Sequence, residues 1–389
     1  MNQHPGLRDG PIYLDYNATT PVDPAVAEAM WPYLLLHFGN PSSTHSYGQA
    51  AREAIAIARA QVADLLECEP GEIVFTGGGS EGDNLAIRGV ALARRAHGNH
   101  IITQVTEHPG VLNTCRALER LHGFRVTYLP VDHYGRVSLE DVEAAISDQT
   151  VLITIMHANN ETGTLQPISR IAELAHRHGA LLHTDASQSV GKLATRVSDL
   201  GVDLLTIAAH KLYAPKGIGA LYVRRGVQLE PLIYGGGQEA GRRAGTENLA
   251  YSVGLGTACA LARAQLAGSE PRLLALRDQL YQRLNACLPG RVHLNGHPSE
   301  RLPNTLNISI DGVVGEEVLA ATPEIASSTG SACHEGNTDP SEVLLAMGYS
   351  RERALGALRL TLGRWSTADE IERAARLLAK TIDAIAAKQ

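Results

Sequence analysis

Between about residues 70 and 225 the chain alternates short apolar runs with amphipathic segments, and few folds satisfy that pattern. The runs are "EIVFT" (72–76), "HIITQV" (100–105), "RVTYLPV" (125–131), "VLITIMH" (151–157), "ALLHTD" (180–185), "DLLTIAA" (203–209) and "ALYVRR" (220–225). They are too short for helices and largely lack polar alternation, as strands covered on both faces do. Between them lie helical periods. In "ISRIAELAHRHG" the stripe Ile168, Ile171, Leu174 and Ala175 recurs at helical spacing, and Gly179 is placed to end it. Strands alternating with helices predict an α/β fold, a mostly parallel sheet with helices on both sides.

After roughly residue 260 the texture changes to longer helices with a few strands, among them "TLNISI" (305–310). The last helix is expected to open on Thr367 and Glu370 in capping-box spacing and to bury Ile371, Leu378, Ile382 and Ile385. With 389 residues, of which 44% are hydrophobic, there is enough apolar surface to fill two cores.

Charge points away from polyanions. There are 34 basic and 41 acidic residues, giving −7, with neither sign gathered into a long run, so direct nucleic-acid or membrane binding is not expected. The N-terminal "MNQHPGLRDG" has no basic-then-apolar signal pattern, and a cytoplasmic protein is expected. Five cysteines with no C-x-x-C pair argue against a disulfide framework or zinc ribbon. Cys115, Cys259 and Cys287 fall on apolar helical stripes and read as core residues, while Cys68 lies at a helix-to-strand junction. No structural metal is expected: HExxH is absent, and His176 and His178 read as solvated on a polar helix face.

The run 203–209 ends on His210 and Lys211, an odd place for an ammonium unless it sits at the rim or is chemically employed. Asp185 closes the run 180–185, either as an N-cap for a following helix or facing the crevice where ligands bind in open sheets. "IVFTGGGSEGDNLAIRG" (73–89) reads as a strand, a glycine turn and a helix start, the geometry that presents N–H groups to a phosphate. A lysine, a carboxylate and a phosphate-binding helix start on one sheet edge suit pyridoxal 5'-phosphate, which needs an amine anchor, a partner for its ring nitrogen and a phosphate site. In "ASSTGSACHEGNTDPSEVL" (326–344), Cys333 belongs to no apolar stripe; with His334 beside it, the thiol is a candidate nucleophile or an incidental surface cysteine. Arg242 and Arg243 could touch phosphate or solvate a loop.

These landmarks also resemble a known family. From "YLDYNATTPV" (13–22) through "GNPSSTH" (39–45), "TEH" (106–108), "NNETG" (159–163), "DASQSVGK" (185–192), "HKLYAPKGIGALYVRR" (210–225) and "SSTGSAC" (327–333) to "LRLTLGRWST" (358–367), the chain is similar to cysteine desulfurases of the NifS/IscS type. The resemblance implies a fold-type I pyridoxal-phosphate transferase with a mostly parallel seven-stranded sheet. It also implies a large cofactor domain at 21–260, a smaller α+β domain at 261–389 carrying the cysteine loop, and a segment 1–20 packed on the latter. By the same resemblance Lys211 would carry the cofactor and remove the substrate Cα proton, Asp185 would pair with the ring nitrogen, Gln188 would bond the ring hydroxyl, and His108 would stack on the ring. Gly79, Ser80 and His210 would hold the phosphate, joined by Thr246 from the other subunit of a homodimer. Asn160 and Arg359 would hold the carboxylate of L-cysteine, and Cys333 would take the sulfur as a persulfide for an acceptor protein.

Departures from the family pattern are Ala208, where a serine often offers the phosphate a hydroxyl, and "EHPGV" in place of "EHKAV", with Pro109 suited to a first helical turn. Stretches such as "GGGQE" and "GSACHEG" look more like selenocysteine lyases, so that activity stands as the alternative. An aminotransferase shares the expected fold but needs no loop thiol, and a sulfur carrier without cofactor would have no use for Lys211 and Asp185.

Overall fold

The computed structural model describes residues 3–330 and 339–387. Its strands in chain order are β1 (Ile12–Tyr13), β2 (Ile73–Thr76), β3 (His100–Gln104), β4 (Arg125–Leu129), β5 (Thr150–Thr154), β6 (Leu181–Asp185), β7 (Leu204–Ala208), β8 (Gly219–Val223), β9 (Val292–Leu294), β10 (Thr305–Ile310), β11 (Ile325–Ala326) and β12 (Ala357–Thr361). Strands β2 to β8 form one seven-stranded sheet in the order β2-β8-β7-β6-β5-β3-β4. Pairing is parallel from β4 across to β7, and β8 runs antiparallel to both β7 and β2.

The continuous apolar runs are explained by cover on both faces. One face packs Ile102, Ile153, Leu182, Leu205 and Ala220 into a core completed by Ile55, Val62, Ile171 and Leu255. The other packs Ile101, Leu152, Leu204 and Leu221 against Leu85, Ile87, Val111 and Leu118. Successive strand residues thus feed opposite cores, which is why the runs show no polar alternation.

A third core is built on the three-stranded antiparallel sheet β12-β10-β9 and gathers Leu280, Leu284, Ile308, Leu358, Leu360, Ile371, Leu378 and Ile382. Ile12 and Leu14 belong to it, because β1 pairs in parallel with β11 (Ile12 opposite Ile325) and Asp15 bridges Thr361. The helix Leu249–Cys287 runs from the first core to the third. The final helix, Ala368–Ala386, carries the expected capping box: Thr367 accepts from the Glu370 N–H, and the Glu370 carboxylate accepts from the Thr367 N–H at 2.9 Å.

Three expectations need correction. Cys287 is exposed: its helix turns that position outward one turn after Leu284, just before the chain leaves the helix at Leu288. His176 is not simply solvated, since its Nε2 lies 2.9 Å from the fully buried Asp203 carboxylate. No helix follows Asp185 for it to cap; a turn does, and the Asp185 carboxylate accepts from the Ser187 N–H at 2.9 Å.

Candidate active site

Parallel strands deliver their carboxyl ends to one sheet edge, and the site is assembled there. Nine residues singled out from the sequence line one cavity of about 240 Å³: Gly79, Ser80, His108, Asn160, Asp185, Gln188, His210, Lys211 and Arg359. Thr246 is exposed and is not part of that wall; Cys333 and His334 lie outside the described residues.

Strand β2 ends at Thr76, and Gly78 (φ 148°) takes a backbone conformation closed to most side chains, turning the chain into the helix Gly79–Ala93. A Cβ on Gly79 would stand 3.1 Å from the Ala208 Cβ and 3.2 Å from Ser187 Oγ, so glycine opposite alanine lets the helix start approach β7 closely. First-turn N–H groups and the positive end of the helix dipole then face the cavity.

Lys211 closes a 3-10 turn (Ala209–Lys211) directly after β7. Its ammonium donates to the carbonyl oxygens of Asn17 and Ala18, the latter at 2.7 Å. Burial pulls its pKa down to about 8, with Arg359 lowering it further and Asp185 and Asp15 opposing. His210, one residue earlier, is brought down to about 4 by burial and then by Lys211, and its Nδ1 lies 3.2 Å from Thr19 Oγ1.

His108 is the N-cap of the helix Pro109–His122, and Pro109 occupies the first helical position as expected. The ring Nδ1 accepts the Gly110 N–H at 3.0 Å, while burial lowers the pKa; Asp185 opposes that shift and Lys211 adds to it. The ring is therefore neutral near pH 7 with its proton on Nε2. Arg359, on β12, donates to Asp15 Oδ1 at 3.0 Å and to the Asn160 carbonyl at 3.3 Å, while its buried Nε has no partner among the described residues.

Several site residues were not picked out from the sequence. Asn17 accepts from Lys211 and Gln188 through its carbonyl, and Asp15 holds Arg359; both arrive because β1 is pinned to β11. Asp83 also lines the cavity, fully buried; burial first, then Asp185, raises its pKa well above the ordinary range, and its Oδ1 lies 3.8 Å from His183 Nε2. Glu107, pushed up to about 8 by burial, accepts from Gln104 and from the Met156 N–H. Glu161, pushed up to about 7 by burial, accepts from Ser341 Oγ at 2.5 Å. Their signal was charge within "SEGDN", "TEH" and "NNETG", which reads equally as a solvated face. Arg243 pairs with Glu81 at 2.9 Å, and Arg242 donates to the Gly71 carbonyl at 3.0 Å, so both secure the 235–248 connection locally.

Residues 12–374 match the family model "Aminotransferase class-V". The chain is 49% identical over 364 residues to "Cysteine desulfurase IscS" of Methanosarcina thermophila, covering 93% of this chain and 89% of that protein. It is 47% identical over 375 residues to the protein of the same name from Clostridium botulinum strain Hall, covering 95% and 94%. Among solved structures, a "NifS-like protein" superposes with a TM-score of 0.90 at 35% identity, covering 96% of this chain and 99% of that one. The structure titled "SspA in complex with cysteine" gives a TM-score of 0.80 at 41% identity, covering 92% and 100%.

Proposed function

The chain belongs to the class-V aminotransferase family and within it is a pyridoxal-phosphate-dependent cysteine desulfurase, and we propose that L-cysteine gives up its sulfur in the cavity between Lys211 and Arg359. The selenocysteine lyase alternative is not favoured, since the matched relatives are named for cysteine. One observation carries this reading: a lysine amine with its pKa drawn to about 8, a buried carboxylate and a glycine-opened helix start converge on one cavity.

Those residues fit the cofactor. Lys211 would anchor it, Asp185 would hold the ring nitrogen, Gln188 the ring oxygen and His108 a ring face. Gly79, Ser80 and His210 would hold the phosphate, with Thr246 coming from a second copy of the chain. When bound, the group supplies an electron-poor ring that accepts the electron pair left at the substrate Cα.

The remaining work falls to the protein. Arg359, through its unpaired Nε and its fork, takes the substrate carboxylate beside Asn160. Lys211, with an amine that is neutral in part near pH 7.5, takes the Cα proton. His108, with its proton held on Nε2, assists proton delivery. Cys333 attacks the substrate sulfur as thiolate: a sulfur–sulfur bond forms, the Cβ–S bond breaks, and the electron pair stays on carbon, where a proton completes alanine. The persulfide then passes to an acceptor protein. Residues 21–260 would hold the cofactor and 261–389 would carry Cys333, with 1–20 packed on the latter through β1.

Mass spectrometry after brief exposure to cysteine tests the scheme. One added sulfur on the Cys333 peptide, appearing with alanine, is expected; alanine without that gain would remove Cys333 from its role.

The reading includes a homodimer. Trp31, Leu34, Leu35, Leu36, Phe38 and Tyr47 are exposed on two neighbouring helices, Pro24–Leu35 and Ser46–Leu66, and on the loop between them; Phe38 stacks on Tyr47 with ring centroids 5.3 Å apart. So large an apolar surface calls for cover, and a second copy provides it. Sedimentation at micromolar concentration should give twice 41.5 kDa, falling to one chain in the pair Trp31→Glu/Phe38→Glu; a monomeric wild type would exclude the dimer. Among the described residues no helix is long and apolar enough to cross a membrane. The charge balance of 34 basic against 41 acidic residues fits a protein without direct nucleic-acid or anionic-membrane contacts, and a cytoplasmic location is part of the proposal.

A further inference from the structure

Lys192 is only 6% exposed, yet no role in the scheme above uses it. A buried ammonium normally has a carboxylate partner. Among the described residues none acts on it: the charged group that influences Lys192 there is Lys211, which adds to burial in bringing its pKa down to about 7. Its hydrogen bonds go instead to one residue. Nζ donates to the Gln188 carbonyl at 2.9 Å and to the Gln188 side-chain Oε1 at 3.2 Å.

The local backbone makes this return possible. The chain turns through Gly191 in the left-handed region (φ 73°), where an added Cβ would come within 2.1 Å of Leu212 Cδ1. A side chain at 191 is thus refused twice, by conformation and by space, and Lys192 folds back beneath Gln188. Its far side borders a second cavity of about 470 Å³, lined in part by Tyr213, Leu273 and Leu362.

Gln188 faces the active-site cavity with its amide held at both ends. Nε2 donates to the Asn17 carbonyl at 3.0 Å, and Oε1 accepts from Lys192. Nζ directs one N–H to each Gln188 oxygen, an arrangement open to the amine whether charged or neutral, and so it holds the oxygen end of the amide. Among the described residues the second N–H of Nε2 meets no acceptor, leaving it for the cavity.

We propose that Lys192 is a positioning residue that fixes the Gln188 amide so that an N–H, and not a carbonyl, is presented to the cofactor's ring oxygen. The proposal rests on the assignment of Gln188 to that oxygen. The Asn17 carbonyl holds only the nitrogen end of the amide, and the oxygen end is held by Lys192. Without Lys192, Oε1 would be buried with no donor, and a swing of the amide would relieve it.

The test is a pH titration of the bound cofactor's visible band in the loaded enzyme. An N–H aimed at the ring oxygen spreads that oxygen's negative charge and weakens its hold on the neighbouring proton. Withdrawing the donor therefore moves the spectral midpoint to higher pH, by about one unit for one hydrogen bond. Lys192→Met, which matches the buried length without the charge, is expected to give that shift, with Lys192→Leu as a second apolar replacement should it fail to fold. Gln188→Ala should give a similar shift, and Lys192→Met added to Gln188→Ala should move the midpoint no further. Lys192→Arg, also a pure donor and with the second cavity to accept its bulk, should stay near wild type. Fully additive shifts, or an unmoved midpoint in Lys192→Met, would overturn the proposal. A shift in Lys192→Met with none in Gln188→Ala would instead overturn the placing of Gln188 at the ring oxygen, on which it rests.

Discussion

Lys211→Ala is expected to lose at least about 10³-fold in alanine formation, and to show no borohydride-stable label at that position. The argument starts from where the fold puts the amine. A turn after β7 seats it among carbonyl oxygens, and burial lowers its pKa to about 8 from 10.5. At pH 7.5 about a quarter of such amines are neutral, against about one in a thousand for an ordinary lysine. Only the neutral amine can attack a carbonyl, so cofactor capture by the cofactor-free protein should speed up with pH and flatten above about 8. Lys211→Arg should fail as completely, since a guanidinium keeps the charge but provides no nucleophile.

The same shift has a stability consequence of opposite sense. The folded pKa lies below the unfolded one, so protonation favours the unfolded chain. Cofactor-free Lys211→Met should accordingly be more stable than cofactor-free wild type at pH 7. The gap should close as pH rises from about 8 towards 10.5, where the wild-type amine is neutral in both states. Denaturant midpoints across that window check the sign. A Lys211→Met protein that is inactive and also less stable throughout would mean that the residue holds the fold and nothing more.

How much of this the sequence disclosed follows from the range of each interaction. The seven strands stood out because a strand covered on both faces must be apolar along its length, a local property of runs such as "DLLTIAA". Lys211, Asp185 and the helix start at Gly79 were legible for a related reason: each terminates a strand that the pattern had already placed. Asp15 and Asn17 were not. They reach the cavity only because Ile12 pairs with Ile325, more than three hundred residues away, and no local pattern reports such a pairing. Asp83 sits in a helix whose charges suggest a wet face, yet that face lies on the sheet, and burial keeps its carboxyl protonated well above the ordinary range. Cys287 failed in the other direction: a helical stripe read from spacing does not foresee where the neighbouring core ends.

Arg359→Ala is expected to lower kcat/KM for cysteine by about 30- to 5,000-fold, as removal of a buried charged hydrogen-bond partner costs about 2–5 kcal/mol. Arg359 is 6% exposed, and its fork is already half committed, to Asp15 Oδ1 and to the Asn160 carbonyl. Nε, unpaired among the described residues, is the telling atom: a buried donor is rarely left without an acceptor, and a carboxylate entering beside it would satisfy Nε and a terminal nitrogen together. Arg359→Lys should recover little of the loss, because an ammonium cannot offer two parallel donors. Carboxylate recognition has a signature that a structural role lacks. Cysteamine, which is cysteine without its carboxylate, should compete for the wild-type site more weakly than cysteine by the same factor that Arg359→Ala loses, and the variant should no longer discriminate between the two. If Arg359→Ala still prefers cysteine as strongly as the wild type does, the guanidinium is there for Asp15 alone, tying β1 to β12, and the substrate carboxylate must be held elsewhere in the cavity.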